Sequence, residues 1–557
     1  TNRFSAGGGT VLQGGVAVSN AQGNIETTGA GSDPTAYISN STIKADITSR
    51  TAPLTSLSAP LVVSNNSLSA TSSGNTAGSR SATGTVAGNS ITLAPGVDLV
   101  GNGGSGVAML AVSGTPVSLS GDAVLSSSQA NQGTYFTSQV QGTAITPLQN
   151  GVVTVRADTI APGGSINAAD NSVNAAATGN FASNLVTANN ANLTGSVAAG
   201  NLQINDATPI TGTVNFGSVT ANAGSSAGPV SGAITSNKNT ISASAEGNVA
   251  ATSVALTSSN LTSLAAPAGA SSATANANGL GSSVVTAGTS AANLQSNSGG
   301  GAIGSTVFNS FVAVNVNDQV TPANLVGLNG ASVSATNNAI TSDATGNNAA
   351  TSIALAGTNG AVQSAVGNTQ LNGSAISGRN LESGVIIRSA DVGTSAVTLT
   401  GNTVSSAGTA NNATNALTAT GFANLTVGPN AIAASSAASA AADVATNNAA
   451  LGIASAQRNT ASVSSLTQNT TSGAAGGGFA TVYAGQPTGG SGITGSNVQA
   501  SNNTVSATTT GNRVANTVGL GGSTLDTVGN SATRIAAIAN SQINDVTGVA
   551  NATVDGG

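Results

Sequence analysis

The sequence predicts an all-β fold: an elongated β-solenoid, or β-helix, built from tandem repeats with little or no α-helix. Three observations carry this expectation. A ten-residue motif recurs six times, apolar and polar residues alternate within it, and bulky side chains are too scarce for an ordinary globular core.

The motif reads Asn-x-(aliphatic)-x-(small)-x-(small)-x-Gly-Asn. Copies begin at Asn66 (NSLSATSSGN), Asn171 (NSVNAAATGN), Asn239 (NTISASAEGN), Asn338 (NAITSDATGN), Asn402 (NTVSSAGTAN) and Asn503 (NTVSATTTGN). Its glycine stands at Gly74, Gly179, Gly247, Gly346 and Gly511. Fixed self-similarity of this kind marks architectures made by stacking one unit on the next.

In the copy from Asn239, Ile241, Ala243, Ala245 and Gly247 share one face, and Ser242, Ser244 and Glu246 share the other. In the copy from Asn338, Asp343 falls on the same outer face as Glu246. A period of two is that of a strand buried on one side, and the β-branched, Asn and Gly content disfavours a helix. The Gly-Asn pair predicts a corner, since both residues tolerate positive φ. Aliphatic residues at Leu185, Val254, Ile353, Leu417 and Val518 then predict a second strand. The spacing Asn40, Asn66, Asn89 predicts the length of one coil. Asn at equivalent corners suits either a stacked amide ladder or a simple turn.

A longer period lies above the motif. Successive copies are 105, 68, 99, 64 and 101 residues apart, so long and short gaps alternate and the unit is a pair of motifs. Phe136, Phe308 and Phe479 follow a similar period, and Phe181 and Phe422 each follow a motif. The expected organisation is a partial module with an N-terminal strand segment at 1–130, repeat modules at 131–300 and 301–475, and a partial C-terminal module at 476–557, each of several coils.

Composition narrows the function. Of 557 residues only 11 are basic and 17 acidic, and there is no His, Cys or Trp. The mean hydropathy of +0.16 and the low charge oppose the signature of a disordered chain. No basic run offers the clustered cations that nucleic-acid binding needs, and no apolar stretch is long enough for a membrane-spanning helix. A start at Thr1, without Met or a leader, fits a processed or excised chain.

Candidate chemistry is sparse. The stretch Gly101 to Gly106 matches a dinucleotide fingerprint, but strand-like sequence follows where a phosphate-binding helix is required. Gly224 to Gly228 matches a nucleophile elbow, yet the chain has no histidine to serve as base. Asp158 with Asp170 and Glu382 with Asp391 are the nearest acid pairs, and Arg156 and Arg388 beside them favour surface ion pairing. The expectation is therefore no enzyme and no cofactor, with an isolated calcium at a module junction left open.

The Asn-x-Ile-x-Ala…Gly-Asn repeats, on their Ala/Ser/Thr/Gly/Asn background, resemble the secreted β-solenoid proteins of Gram-negative bacteria: autotransporter-type passengers, repetitive adhesins, and surface-layer or filament subunits. The resemblance implies export, a place at the cell surface and no transferable active-site residue. Open solenoid ends pairing edge to edge or head to tail predict a self-assembling filament, sheath or surface layer, with the chain itself as polymer partner. The alternative is an adhesin whose Thr/Ser/Asn faces bind a glycan, ice or another surface. A carboxylate-dependent, glycan-active β-helix enzyme ranks third.

Overall fold

A computed structural model describes residues 1–556 except 14, 26–34, 48–56, 82–83, 101–105, 113–114, 143–150, 159, 190–191, 224–229, 264–270, 277–281, 317–327, 390–391, 429–431, 438–443, 470–477, 485–492, 528–533 and 546–549. Among the described residues there is no α-helix, and parallel strands stack coil upon coil into a β-solenoid.

One long face is formed by Ser67–Ser81, Ser172–Asn189, Thr240–Ser263, Ala339–Val362, Thr403–Val427 and Thr504–Thr527, paired in parallel and in that order. Each strand carries one motif copy, so all six copies lie in adjacent coils. Numbering the coils from these strands, the segment before Asn66 forms a partial coil beneath the first.

The coil step equals the motif spacing. Asn66 stacks on Asn171, 105 residues on, and the later steps are 68, 99, 64 and 101. This corrects the short coil expected from Asn40, Asn66 and Asn89. Asn40 lies in a bend after Thr35–Ser39, and Asn89 stacks on Asn184 instead. The long module period is two coils, not several.

Two opposing faces run back against the long face. The first is a seven-stranded sheet from Val16–Ile25 to Ala536–Asn544, and the second a seven-stranded sheet from Thr35–Ser39 to Ala550–Gly556. Two six-stranded sheets of short strands, typified by Val219–Ala223 and Ala233–Asn237, close the section at one end. Between these sheets lie apolar clusters of Val, Ile, Leu and Ala, among them Val173, Val214 and Ile234 at one end and Val186, Leu256 and Leu417 at the other.

The alternation of long and short coils has a geometric cause. Coils one, three and five carry an extra antiparallel hairpin: Gly106–Val112 with Thr115–Gly121, Ser271–Asn276 with Ser282–Ala287, and Ile432–Ala437 with Val444–Ala449. The three hairpins join edge to edge into one six-stranded sheet. Strands in a sheet are about 4.8 Å apart, so a two-stranded hairpin is as tall as two coils and fits once per pair. Leu119 and Val285 of this layer cover Val124, Leu202 and Leu294 of the first opposing face.

The motif's alternation is as expected: Ile241, Ala243 and Ala245 are buried, while Asp343 faces outward. Its corner is not. The strand Thr240–Ser263 runs straight through Gly247-Asn248, and neither residue has positive φ. The corner comes one residue before each motif, where Asn65, Asp170, Lys238, Asn337, Gly401 and Asn502 have φ of 56°, 54°, 52°, 54°, 67° and 54°. At Gly-Asn the inward phase slips by one: Val173, Ala175 and Ala177 enter the core before the pair, and Val186 and Ala188 after it. The aliphatic column beyond the slip is Val186, Val254, Ile353, Leu417 and Val518; Leu185 is one position out of register.

The phenylalanines do not form a column. Phe136 opens a strand of the second opposing face, Phe308 closes another, and Phe479 precedes the end strand Ala480–Ala484. Phe136 is stacked instead with Ile210, Ile303, Ile376 and Val463.

Candidate functional site

The motif positions form columns through the interior. In the first, each Asn side chain donates to the carbonyl of the next: Asn66 to Asn171 at 3.0 Å, Asn171 to Asn239 at 2.9 Å, Asn239 to Asn338 at 3.1 Å, Asn338 to Asn402 at 3.0 Å and Asn402 to Asn503 at 2.9 Å. The same acceptor oxygens also take the backbone N–H of the coil beneath, as Asn338 Oδ1 does from Asn239 N. Both roles follow from geometry. The asparagine completes the corner backbone and stacks as a ladder.

The closing asparagines make a second ladder, Asn75, Asn180, Asn248, Asn347, Asn411 and Asn512. It interleaves with a third on the first opposing face: Asn131 donates to Asn180 and to Asn205, and Asn205 donates to Asn248 and to Asn297. Two residues along lies a seven-membered glutamine ladder. Gln129 donates to Gln22, Gln203 to Gln129, Gln295 to Gln203, Gln370 to Gln295, Gln457 to Gln370 and Gln542 to Gln457, all at 2.7–2.8 Å. Each of these bonds satisfies amides that would otherwise cost about 1–3 kcal/mol apiece as buried orphans.

The glycine column is required by this crowding. A Cβ on Gly247 would lie 2.7 Å from Ile303 Cδ1 and 2.8 Å from Asn297 Oδ1, and nearer still to the Gly346 carbonyl. Gly74 and Gly179 are hemmed in by Phe136 and Ile210 in the same way, and Gly346 by Ile376 and Asn372. At Gly511 the neighbour is the Asn544 side chain. The glycines serve close packing, not a turn.

On the outer side of the same strands lies a groove of about 480 Å³, lined by Thr71, Ser73, Thr178, Phe181, Glu246 and Asp343 among others. Ser244 pairs with Asp343 and Glu246 with Thr345, so the two acids are diagonal neighbours in adjacent coils. From strand spacing and rise, their Cα atoms are roughly 8 Å apart. Burial raises the Asp343 carboxyl above its ordinary 3.8, and the Glu246 charge raises it further. Repulsion between the two charges favours the protonated form of Asp343, while the Thr and Ser hydroxyls can bond a polyhydroxylated ligand. The sequence placed both acids on one outer face; their convergence follows only from stacking copies 99 residues apart.

The acid pairs singled out from spacing are not brought into a site. Asp158 follows the end strand Val153–Ala157, and Asp170 occupies a positive-φ corner after Ser165–Ala169. Glu382 is also a positive-φ corner, and Asp391 lies outside the described residues. Arg388 stands over the Tyr483 ring at 5.5 Å, where burial lowers its pKa and Tyr483 opposes the shift. The runs 101–105 and 224–228 also lie outside the described residues. Among the described residues, no three acids gather as a metal cage, and no helix is long and apolar enough to cross a membrane.

Comparison of the chain with protein-family models, curated proteins and solved structures finds no match in any of the three.

Proposed function

We propose that this chain is a structural protein of the cell surface, a subunit that assembles into a filament, sheath or surface layer by stacking its end coils on further copies. It performs no reaction in this reading. The supporting observation is the regularity of the stacking: the long face pairs in parallel, its motif copies in one register, from Ser67–Ser81 to Thr504–Thr527, and one asparagine ladder runs through all six of its coils. Strand edges of this kind associate with matching edges. Export and surface placement come from the family resemblance.

The test is sedimentation and negative-stain microscopy of the purified chain over a concentration series. Growth of ordered stacks with concentration is expected. Monodisperse monomers throughout would overturn the reading.

The groove beside Glu246 and Asp343 favours a second reading, an adhesin that binds a hydroxyl-rich surface glycan. It predicts saturable saccharide binding by the monomer that Glu246→Gln and Asp343→Asn weaken. Binding unchanged in both variants would exclude this groove.

A further inference from the structure

Next to the glutamine ladder, two columns of short polar side chains face each other across the interior. On the first opposing face Ser127, Asn201, Asn293, Asn368 and Ser455 stack in register. On the long face Asn184, Thr252, Thr351 and Asn415 do the same. All nine are at most 1 % exposed. The columns meet because the two faces run in opposite directions across one seam. Asn205 takes a bond from Asn180 and gives one to Asn248, so counting along the strands from those contacts brings Asn201 between Asn184 and Thr252. In the same way, Asn347 donates to the Leu371 carbonyl and Gln370 to that of Asn412, which brings Asn368 between Thr351 and Asn415. Asn201 shares the inward phase of Ala199, and Thr252 that of Val254, both members of one apolar cluster.

These columns are interrupted ladders. Asn201 donates to Asn293 at 2.8 Å and Asn293 to Asn368 at 2.7 Å. Serines replace the amide in the coils on either side, so Asn201 Oδ1 and Asn368 Nδ2 find no protein partner. On the long face Asn89 donates to Asn184 and Asn415 to Asn516, and threonines interrupt the column between the two pairs. Asn184 Nδ2, Asn415 Oδ1 and the hydroxyls of Thr252 and Thr351 are left over. The orphaned atoms form two triads on either side of Asn293, whose own amide is satisfied above and below. One triad is Asn184 Nδ2, Asn201 Oδ1 and Thr252 Oγ1; the other is Asn415 Oδ1, Asn368 Nδ2 and Thr351 Oγ1.

We propose that each triad is a binding site for one buried water, so that the seam holds a pair of internal waters flanking Asn293. The chemistry of the triads selects this ligand. Each offers one amide N–H donor, one amide carbonyl acceptor and one hydroxyl that serves as either. A cation is repelled by the N–H group and an anion by the carbonyl, whereas water donates and accepts at once. About three protein partners is the usual number for a buried water. Thr252 and Thr351 supply the room, being shorter than Asn184 and Asn415 in the coils on either side. An amide at these positions would continue the ladder and fill the site. The inference stands apart from assembly and from the outer groove, since both triads lie inside coils that are stacked above and below.

Valine matches threonine in shape but lacks the hydroxyl, so the sign of its effect is decisive. Removing an unpaired buried hydroxyl raises stability, whereas removing one that bonds a water loses a hydrogen bond. Thr252→Val and Thr351→Val should each lower the folding equilibrium constant about fivefold in chemical unfolding, the worth of one hydrogen bond. Water-proton relaxation dispersion counts the long-lived internal waters, and the double valine variant should lose about two of them relative to wild type. Thr252→Ser, which keeps the hydroxyl, should lose none. A folding constant that rises in either valine variant, or a water count unchanged in the double variant, would overturn the proposal. If the valine variants do not fold, a high-resolution density map of the wild-type chain decides. A peak within hydrogen-bonding distance of Asn201 Oδ1 and Thr252 Oγ1 is expected, and its absence from a map that shows other buried waters would overturn the site.

Discussion

Ala410 and Val463 belong to one buried cluster, and in the fifth coil they take the places that Gly346 and Ile376 hold in the fourth. The methyl gained on the long face is offset by the methyl lost from the opposing one. Gly346 has no room for a Cβ, which would lie 2.9 Å from Asn372 Oδ1 and 3.2 Å from Ile376 Cδ1. The exception in the fifth motif is therefore a compensated exchange, with volume conserved across the seam.

This exchange can be transplanted. Gly346→Ala alone should destabilise the fold by about 1–3 kcal/mol through overpacking. Adding Ile376→Val, which alone should cost about 0.5–1.5 kcal/mol, should recover part of that loss. Chemical-unfolding midpoints of the four members of the cycle decide it; additive losses would show that the Asn372 contact, not Ile376, sets the limit.

The glutamine ladder should be intolerant at its centre. Gln295→Leu strands Gln203 Oε1 and the Asn348 carbonyl, both served by Gln295 Nε2. At about 1–3 kcal/mol per orphaned group, the loss should reach at least about 2 kcal/mol. Amide exchange in the strands of coils three and four should accelerate accordingly, while an unchanged exchange profile would show that water replaces the lost partner.

Lys238 is the one corner residue before a motif that is neither Asn, Asp nor Gly, and it holds φ at 52°. Its side chain is exposed, so little packing is at stake. Lys238→Asn, the residue found at three equivalent corners, should raise stability by about 0.5–1 kcal/mol by relieving left-handed strain. A lower unfolding midpoint would mean that Lys238 contributes a contact of its own.

The groove acids predict a dependence on pH. Asp343 has a folded-state pKa above its ordinary 3.8 because of burial and Glu246. The native state therefore binds this proton more tightly than the unfolded chain does. The associated stability is full below the unfolded pKa and is lost as pH rises through the folded one. Asp343→Asn should match wild type near about pH 3 and exceed it near about pH 7. Parallel stability curves across that range would show that the carboxyl is free of Glu246.

Each coil consumes between 64 and 105 residues yet adds only about 4.8 Å along the stack. A strand of 24 residues such as Thr240–Ser263 extends about 80 Å across it when straight. The residues are spent on a broad section with several faces. That breadth gives the outer groove room to form.

The strand character of the motif, its buried and solvent faces, and the stacking of its copies were legible in the sequence. Alternation in Ile241, Ala243 and Ala245 reports the two-residue period of a strand directly. The pairing of long and short gaps was visible too, but its cause was not, because a hairpin's height matters only once coils are stacked. Gly-Asn read as a corner because both residues favour turns in isolation. The true corners at Asn65, Asn337, Gly401 and Asn502 carried the same signal one residue earlier.

By itself the sequence determined the all-β class, the inward residues of the first half of each long strand, and a side-chain set without His or Cys. Those properties depend on residue type and local period alone. Tertiary structure decided the coil length, the straight passage through Gly-Asn, the glutamine ladder, and the meeting of Glu246 with Asp343. Each of these depends on contact between residues dozens of positions apart, and one strand's sequence does not say which neighbour will fill the space beside it. Gly247 shows the division most plainly. Its residue type was readable as permissive, but only the Ile303 and Asn297 side chains across the seam make it necessary.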